Sequence, residues 1–503
     1  MLCRRYRLPL FLTLALAACA GDEAAVEPAA LQISIGDTVV RVVVGESTDV
    51  EVSLERTGYD GPVDVVVADL PPFVTAEAAT IPESGTSATL RISAAPNAVL
   101  EGPLTFSVQA WAEGDVRSSA DTTLYVAGLP GTPDYALGPR GVYSFDLAHG
   151  ATDHPSDAIL DSKRRLVIVG WGNSSGPEPT SAAWVVRLNA DGSLDESFGS
   201  GGKVVGLLNG HPSSTAQAVV EDESGGYRIL VYHYGSELPS CIAALDEGGD
   251  LIESFGTGGF SPSFAPAFDL VRRGGSTIAI GYTAATAIDD SGQIDSNFDF
   301  PFSGSVGAAA EIDNELLLGV GASDFEIYRT TANGAIDETF GDGGVLAFPN
   351  LPDHPAGAVV HQVEVGAAGT VVASGSALIT EGFEGDRTPV LLRFDTDGSP
   401  DESFGNGGVA LVLPEGKTGY MGYEGAVALD SQGRAITFVM QDSPYEWMFK
   451  RFLPDGSPDP SFGTDGAAKA RVLAGTLLID DKAGQLIAVR HVFGLVTIQR
   501  LWL

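Results

Sequence analysis

The chain has 503 residues, 44% of them hydrophobic, and carries 28 basic against 66 acidic residues for a formal net charge of −38. That excess repels phosphate backbones and anionic headgroups, which excludes nucleic acid as a partner; the acids are scattered along the chain, as on a solvated surface. Of Cys3, Cys19 and Cys241, the first two fall in the N-terminal address of residues 1–30 and Cys241 is left alone, so no disulfide is expected and stability must come from burial, for which the length supplies material for two cores.

Residues 1–30 read as an address. Arg4, Arg5 and Arg7 give a basic start, and residues 8–18 form an apolar run too short to span a bilayer comfortably. Leu16-Ala17-Ala18-Cys19 closes the run. This order of elements resembles the lipobox of bacterial lipoproteins, which implies cleavage before Cys19 and acylation of that residue. Several acyl chains, at roughly 0.8 kcal/mol per buried methylene, would make the membrane a permanent partner. Ala20 stands where many inner-membrane lipoproteins carry Asp, so the resemblance favours the outer membrane, facing periplasm or cell surface. Residues 1–18 are then a signal peptide and 19–30 a disordered tether.

Residues 31–127 contain seven short apolar or alternating stretches separated by turn residues: LQISI, VVRVVV, TDVEVSLERT, GPVDVVVADLP, SATLRISA, PLTFSVQAWA and DTTLYVAG. Seven strands without helical periodicity predict an immunoglobulin-like β-sandwich. The phrase RTGYDGPVDVVVADLPPFVTAE resembles a bacterial Ig-like module. Residues 128–140 read as a Pro/Gly linker leading into the first repeat.

From there on one phrase returns. NADGSLDESFGSGGKV (189–204) recurs as DEGGDLIESFGTGGF (246–260), DDSGQIDSNFDF (289–300), ANGAIDETFGDGGVL (332–346), DTDGSPDESFGNGGVA (395–410) and PDGSPDPSFGTDGA (454–467), with a degraded copy, DYALGPRGV, at 134–142. Aligning Leu137 with Phe198, Phe255, Phe298, Phe340, Phe404 and Phe462 gives a period of 42 to 64 residues. Between copies lies an apolar run, a polar turn and another apolar run, seven times, beginning with AILDSKRRLVIVG (158–170) and ending with LLIDDKAGQLIAV (477–489). A third strand ending in Arg and a fourth after the paired glycines complete each unit. An all-β chain with seven such units of four strands predicts a seven-bladed β-propeller over 141–503. The stretch resembles the delta-60 repeat family of bacterial surface proteins, which implies a propeller but no common activity.

Within the motif, Asp-Gly and Asn-Gly suit turns that need positive φ. Arg187, Arg329, Arg393 and Arg451 precede their Phe by 11 residues, and Asp195, Asp337, Asp401 and Asp459 precede it by three. The second unit has Ala244 and Ile252 at these positions. Losing both at once predicts that Arg and Asp pair, because a half-buried charge without its partner is costly. The third unit keeps Asp295 opposite Ala287.

Three stretches have residues suited to sharper chemistry. Asp395, Asp397, Asp401 and Glu402 have the density of a calcium loop, but the other copies keep too few acids, so no cofactor is expected. Gly172-Asn173-Ser174-Ser175-Gly176 fits a nucleophile elbow without the helix that should follow it. His-Pro recurs at 154–155, 211–212 and 354–355, just before the first hairpin strand, and reads as a pre-strand turn in preference to a metal site. Strand alternation puts the hairpin turns and the DG loops on one face and the variable connections on the other. Those connections hold Trp171, Tyr420, Tyr423, Tyr445, His154, His211, His354, Asp353 and Phe383, the material of a binding site near units one, five and six. The expected protein is a monomeric, non-catalytic recognition scaffold for a protein or glycan. The competing classes are a lyase or hydrolase using the central channel, marked by acids and histidines with shifted pKa at one mouth, and a structural envelope component.

Overall fold

The structure is a computed structural model that describes residues 29–113, 117–147, 150–174, 181–207, 213–235, 237, 239–300, 305–321, 325–348, 358–366, 369–378, 387–414, 419–420, 425–441, 445–471 and 475–503. Apart from 3-10 turns at Pro139–Gly141 and at Gly369, the regular structure of the described residues is all-β.

Residues 30–127 form two facing sheets. One runs Ala30–Ile35, Ser47–Thr57, Ser87–Ala94, Val74–Ala76; the other runs Val39–Val43, Arg117–Ala127, Glu101–Trp111, Val63–Ala68, Ala79–Ile81. Alternation does the sorting: Val50, Val52 and Leu54 turn inward from one strand while Glu51, Ser53 and Glu55 face solvent. The count is nine strands, two more than the sequence suggests. The additional two are three residues each, too short to leave a periodic signal, and follow a turn in which Asp69 and Phe73 take positive φ.

Seven sheets follow. Their inner strands are Gly150–Leu160, Ser214–Glu221, Asp269–Arg273, Val306–Ile312, Ala358–Val365, Val427–Leu429 and Thr476–Asp480, each in an antiparallel hairpin with the next strand. Each inner strand contacts the next, and the seventh contacts the first, so the circuit is closed. Sheets one, four and five have four consecutive strands. Sheets two and three have three each, fewer than the four expected. In sheet two the outer edge is met only by isolated bridges, Ser240↔Phe264 and Ala243↔Phe260. The covering segment holds Pro262 and Pro266, which cannot donate to a ladder.

The motif holds neighbouring sheets together. Arg187 Nε lies 2.8 Å from Asp195, Arg329 Nη2 2.5 Å from Asp337, Arg393 Nε 3.0 Å from Asp401 and Arg451 Nε 2.8 Å from Asp459. Each guanidinium also covers the Phe of its motif, at 4.5 Å for Phe198, 5.1 Å for Phe340, 5.9 Å for Phe404 and 4.7 Å for Phe462. The other side of the ring is closed by the turn glycine of the following motif. A Cβ at Gly249, Gly334, Gly398 or Gly456 would come within 2.9 to 3.2 Å of Phe198, Phe298, Phe340 or Phe404. The glycines are thus required twice, for φ near +80 to +92° and for close approach.

Two departures correct the sequence reading. Sheet two does have its ion pair: Arg228, in register opposite Ala244, reaches Asp222 at 2.7 Å and covers Phe255 at 4.9 Å. In sheet three Arg273 covers Phe298 at 5.3 Å. The cation over the ring survives when its strand position moves, which no fixed spacing can reveal.

The supposed linker belongs to the circuit. Asp134 pairs with Arg500 of the last strand at 2.6 Å, and its amide meets the Arg500 carbonyl as that of Asp195 meets Arg187, both at 3.0 Å. Gly463 donates to the Pro130 carbonyl as Gly199 donates to that of Gly248. Val142–Phe145 then supplies the fourth strand of sheet seven beside Leu495–Trp502. The seventh motif is therefore assembled from both ends of the repeat region. Its ring slot holds Leu137, leaving a small hollow of about 20 Å³ lined by Leu137, Gly192, Arg500 and neighbours.

The sandwich packs on this seam. Tyr125, Ala127, Ala483 and Trp502 form one buried cluster with Val39 and Val43 against it. Arg41 donates to the Leu503 carbonyl, and Arg164 joins Asp480 at 2.7 Å to the Tyr125 hydroxyl at 3.2 Å.

Candidate functional site

The inner strands of sheets one to five and seven enclose an axial cavity of about 880 Å³. One mouth carries a collar of rings. His154 and Trp171 are cross-strand partners in sheet one and stack with centroids 4.2 Å apart at 15°. His491 of sheet seven lies 4.3 Å from His154, and Tyr282 and Phe268 of sheet three pack 4.9 Å apart. His154-Pro155 is not a turn. It lies inside the strand Gly150–Leu160, where Pro155, lacking an N–H, is followed by a bulge before Asp157. Burial and the neighbouring His491 hold the His154 imidazole below its ordinary range; burial and Arg490 do the same for His491.

Below the collar the cavity is polar. Asp157, Asp269 and Gln362 occupy equivalent places on their inner strands, each two residues before a second wall residue, Ile159, Val271 or Glu364. Asp157 accepts the Val219 amide of sheet two at 3.0 Å, and Gln362 Oε1 accepts that of Val427 of sheet six at 3.0 Å. These two side chains tie adjacent inner strands together. Among the described residues Asp269 accepts the amide of the following Leu270, at 2.8 Å. Burial pushes its carboxyl up to about 6, opposed by that amide and aided by the charge of Glu364. Burial likewise pushes Glu364 up to about 7, against the amide hydrogen bond from Gln362 at 2.5 Å. His361 is pushed down to about 4 by burial and Arg387, with Nε2 3.0 Å from the Ser376 hydroxyl. Arg272, also in the wall, is held by Glu223 and by Asp290 at 2.7 Å.

Of the candidate residues, His154 and Trp171 come together at the mouth. Tyr445 is 67% exposed beside Trp447 on sheet six and does not line the cavity. Tyr420 contributes backbone to the strand Gly419–Tyr420, its side chain lying outside the described residues. Tyr423, His211, His354, Asp353 and Phe383 also lie outside them. The residues the sequence reading missed are His491, Tyr282, Phe268, Asp269 and Glu364. The available signal was an acid at an inner-strand position otherwise apolar, as in FDLVRR and VEVG.

Two acids of the calcium-like stretch, Asp397 and Asp401, are engaged locally. Asp397 accepts the amide and hydroxyl of Ser399, and Asp401 those of Ser403 while also pairing with Arg393. Among the described residues no group of three or more His, Cys, Asp or Glu is arranged to hold a metal ion. Gly172 to Ser174 end the strand Leu166–Ser174, and the rest of the elbow-like pattern lies outside the described residues.

Two segments, 164–198 and 369–404, match one family model, described as a domain of unknown function (DUF5122) beta-propeller. These two repeats are similar to propeller repeats. Each matched segment ends on a motif Phe, Phe198 or Phe404, and includes that motif's Arg and Asp. Of the collar only Trp171 falls within them, so the family pattern describes the latch between sheets more than the mouth. No curated protein sequence matches the chain. Among solved structures, the N-terminal domain of Nup159 is similar at 11% identity, covering 70% of this chain and 90% of that one, with a TM-score of 0.35. A gluconolactonase from Xanthomonas campestris is 11% identical over 45% of this chain and 82% of its own, with a TM-score of 0.20. Bovine butyrophilin is 10% identical over 41% and 92%, with a TM-score of 0.16.

Proposed function

We propose that this is a lipid-anchored protein of the bacterial outer membrane whose seven-bladed β-propeller, joined to an Ig-like sandwich, recognises a carbohydrate at the collared mouth of its axial cavity. The observation that carries this reading is the pairing of an aromatic collar with a carboxylate and amide floor. Sugar rings offer apolar C–H faces to aromatic rings and hydroxyls to carboxylates and amides, so both halves of the cavity have a counterpart on the ligand. The volume falls in the range of small-molecule sites and suits a few sugar units. The negative charge of the chain disfavours acidic polysaccharides and leaves neutral or amino-bearing ones. The closed circuit of seven inner strands supports the seven-bladed reading, the two facing sheets support the Ig-like one, and residues 1–30 support the anchor.

A glycan array probed with the full chain tests the reading. Trp171→Ala should abolish the array signal while leaving the thermal midpoint in place; an unchanged signal refutes it. Cys19→Ser should move the protein from the detergent phase to the soluble fraction or leave its precursor uncut, and continued partitioning of a mature-size product refutes the anchor.

A second reading has its own support. Asp269 and Glu364, carboxyls of one cavity with raised pKa, are the arrangement expected of a hydrolase or lyase acting on the same ligand, with Glu364 still holding a proton near neutrality as the acid. Reducing-end release or unsaturated products from an array-positive glycan, lost in Glu364→Gln while retention persists, would establish it.

A further inference from the structure

The hairpin between Gln485–Val492 and Leu495–Trp502 turns on two residues, Phe493 and Gly494, with Val492 paired to Leu495. Their φ values are 52° and 82°. Positive φ at both centres is the backbone of a type I′ turn, for which Asn-Gly or Asp-Gly is the usual answer. A bulky side chain there brings Cβ against the following carbonyl. Phe493 is moreover 100% exposed, so no burial within the chain offsets that strain. One position thus carries two choices that folding disfavours.

Its location gives those choices a purpose. The Gly494 carbonyl accepts the Asp153 amide at 2.8 Å, which seats the hairpin tip on sheet one beside His154. His491, two residues upstream on the same hairpin, touches His154 in the collar. Phe493 therefore stands at the rim of the cavity mouth.

We infer that Phe493 is a ligand-contact residue, an additional aromatic platform for a sugar unit that projects beyond the collar. The inference rests on the carbohydrate reading and extends the site outward from the cavity. A backbone strained at an exposed aromatic, at the edge of an aromatic-lined cavity, is the pattern of a residue kept for contact at some expense to stability. A single ring standing free suits a sugar face better than it suits a protein interface, which needs a contiguous apolar core.

Phe493→Asn separates the two demands in the full chain, because Asn suits the turn and cannot stack. The thermal midpoint should rise by about a degree, while retention of the array-positive hexasaccharide among chitohexaose, cellohexaose and maltohexaose should fall about tenfold. Phe493→Trp should keep retention. If Trp171→Ala loses the hexasaccharide and Phe493→Asn keeps it, this inference falls and the carbohydrate reading stands. If neither substitution changes retention, or the wild-type chain retains none of the three, both fall. A lower midpoint for Phe493→Asn removes the strain premise and overturns the inference. Loss of a protein partner with sugar retention unchanged overturns it in favour of a protein-binding tip.

Discussion

The Arg–Asp pairs should differ in strength according to how far they are withdrawn from water, and the sixth sheet offers the sharpest test. Arg451 is fully buried and the Asp459 side chain is 5% exposed, whereas Arg393 and Asp401 are each 16% exposed. Arg451 reaches Asp459 at 2.8 Å and Ser461 Oγ at 3.0 Å, and covers Phe462. Asp459→Ala strands that guanidinium, a loss of about 3–5 kcal/mol for a buried pair broken from one side. Arg451→Ala should cost less, about 2–3 kcal/mol, because Asp459 keeps both Ser461 hydrogen bonds and has Arg434 at 3.8 Å. The double variant strands neither charge and should lose about 3–4 kcal/mol, which falls short of the summed singles, about 5–8 kcal/mol, by about 2–4 kcal/mol. At Arg393 and Asp401 the same cycle should give a coupling of about 1 kcal/mol or less. Denaturant unfolding followed by circular dichroism, compared at unchanged slope, measures both cycles. Additivity at both sites would refute the pairing, and equal coupling at the two would refute the dependence on burial.

Filling the hollow beside Leu137 with Leu137→Phe should raise the unfolding free energy slightly, by about 0.5 kcal/mol at roughly 24 cal/mol per Å³ for the hollow of about 20 Å³; a drop would mean the slot is shaped for Leu. Gly398→Ala, at φ +84° with its Cβ 2.7 Å from the Gly341 nitrogen, should destabilise by more than about 2 kcal/mol. Gly407→Ala, at φ +61° with nothing within 4 Å, should cost only about 1 kcal/mol, so equal losses would refute the docking role of the turn glycines. Glu364 holds its proton to about pH 7 when folded, against an ordinary 4.5, so the native state binds more protons between those values and its stability falls as pH rises through them. Glu364→Gln should remove that fall, and the variant should gain on wild type by on the order of 2 kcal/mol from pH 4.5 to 7, after allowance for partial solvent access. His361, pushed down to about 4, acts in the opposite sense over part of the same range, so the informative quantity is the difference between the two proteins. A difference independent of pH would place Glu364 in water.

The hairpins and motifs were legible because each is local: alternation over five residues and an Asp-Gly turn announce themselves within one unit. The partnership of Arg187 with Asp195 was legible for the same reason, eight residues apart on one loop. Arg228 was not, since what makes it equivalent to Arg187 is its cross-strand place opposite Ala244. Asp134 escaped because its partner, Arg500, enters from the far end of the repeats. The mouth was half legible. Trp171 and His154 stood out as an aromatic and a histidine on variable segments, but His491 and Glu364 look like strand residues until seven inner strands are brought round one axis. Phe493 was hidden by its ordinary identity, and only its φ and exposure set it apart.

The shared seventh sheet has a consequence for how the chain acquires its shape. Ser144 and Thr497, hydrogen-bonded at 2.9 Å, are 353 positions apart, and the strands that carry them cannot meet until everything between has been made. Six units can each form from neighbours in sequence, yet the circuit stays open, with Val142–Phe145 waiting as an unmatched strand. Closure is a late, long-range event of the kind that slows folding and leaves an edge vulnerable to wrong partners. The sandwich precedes the repeats in the order of synthesis, and its Tyr125 and Ala127 offer Trp502 a surface on which to settle as the circuit closes.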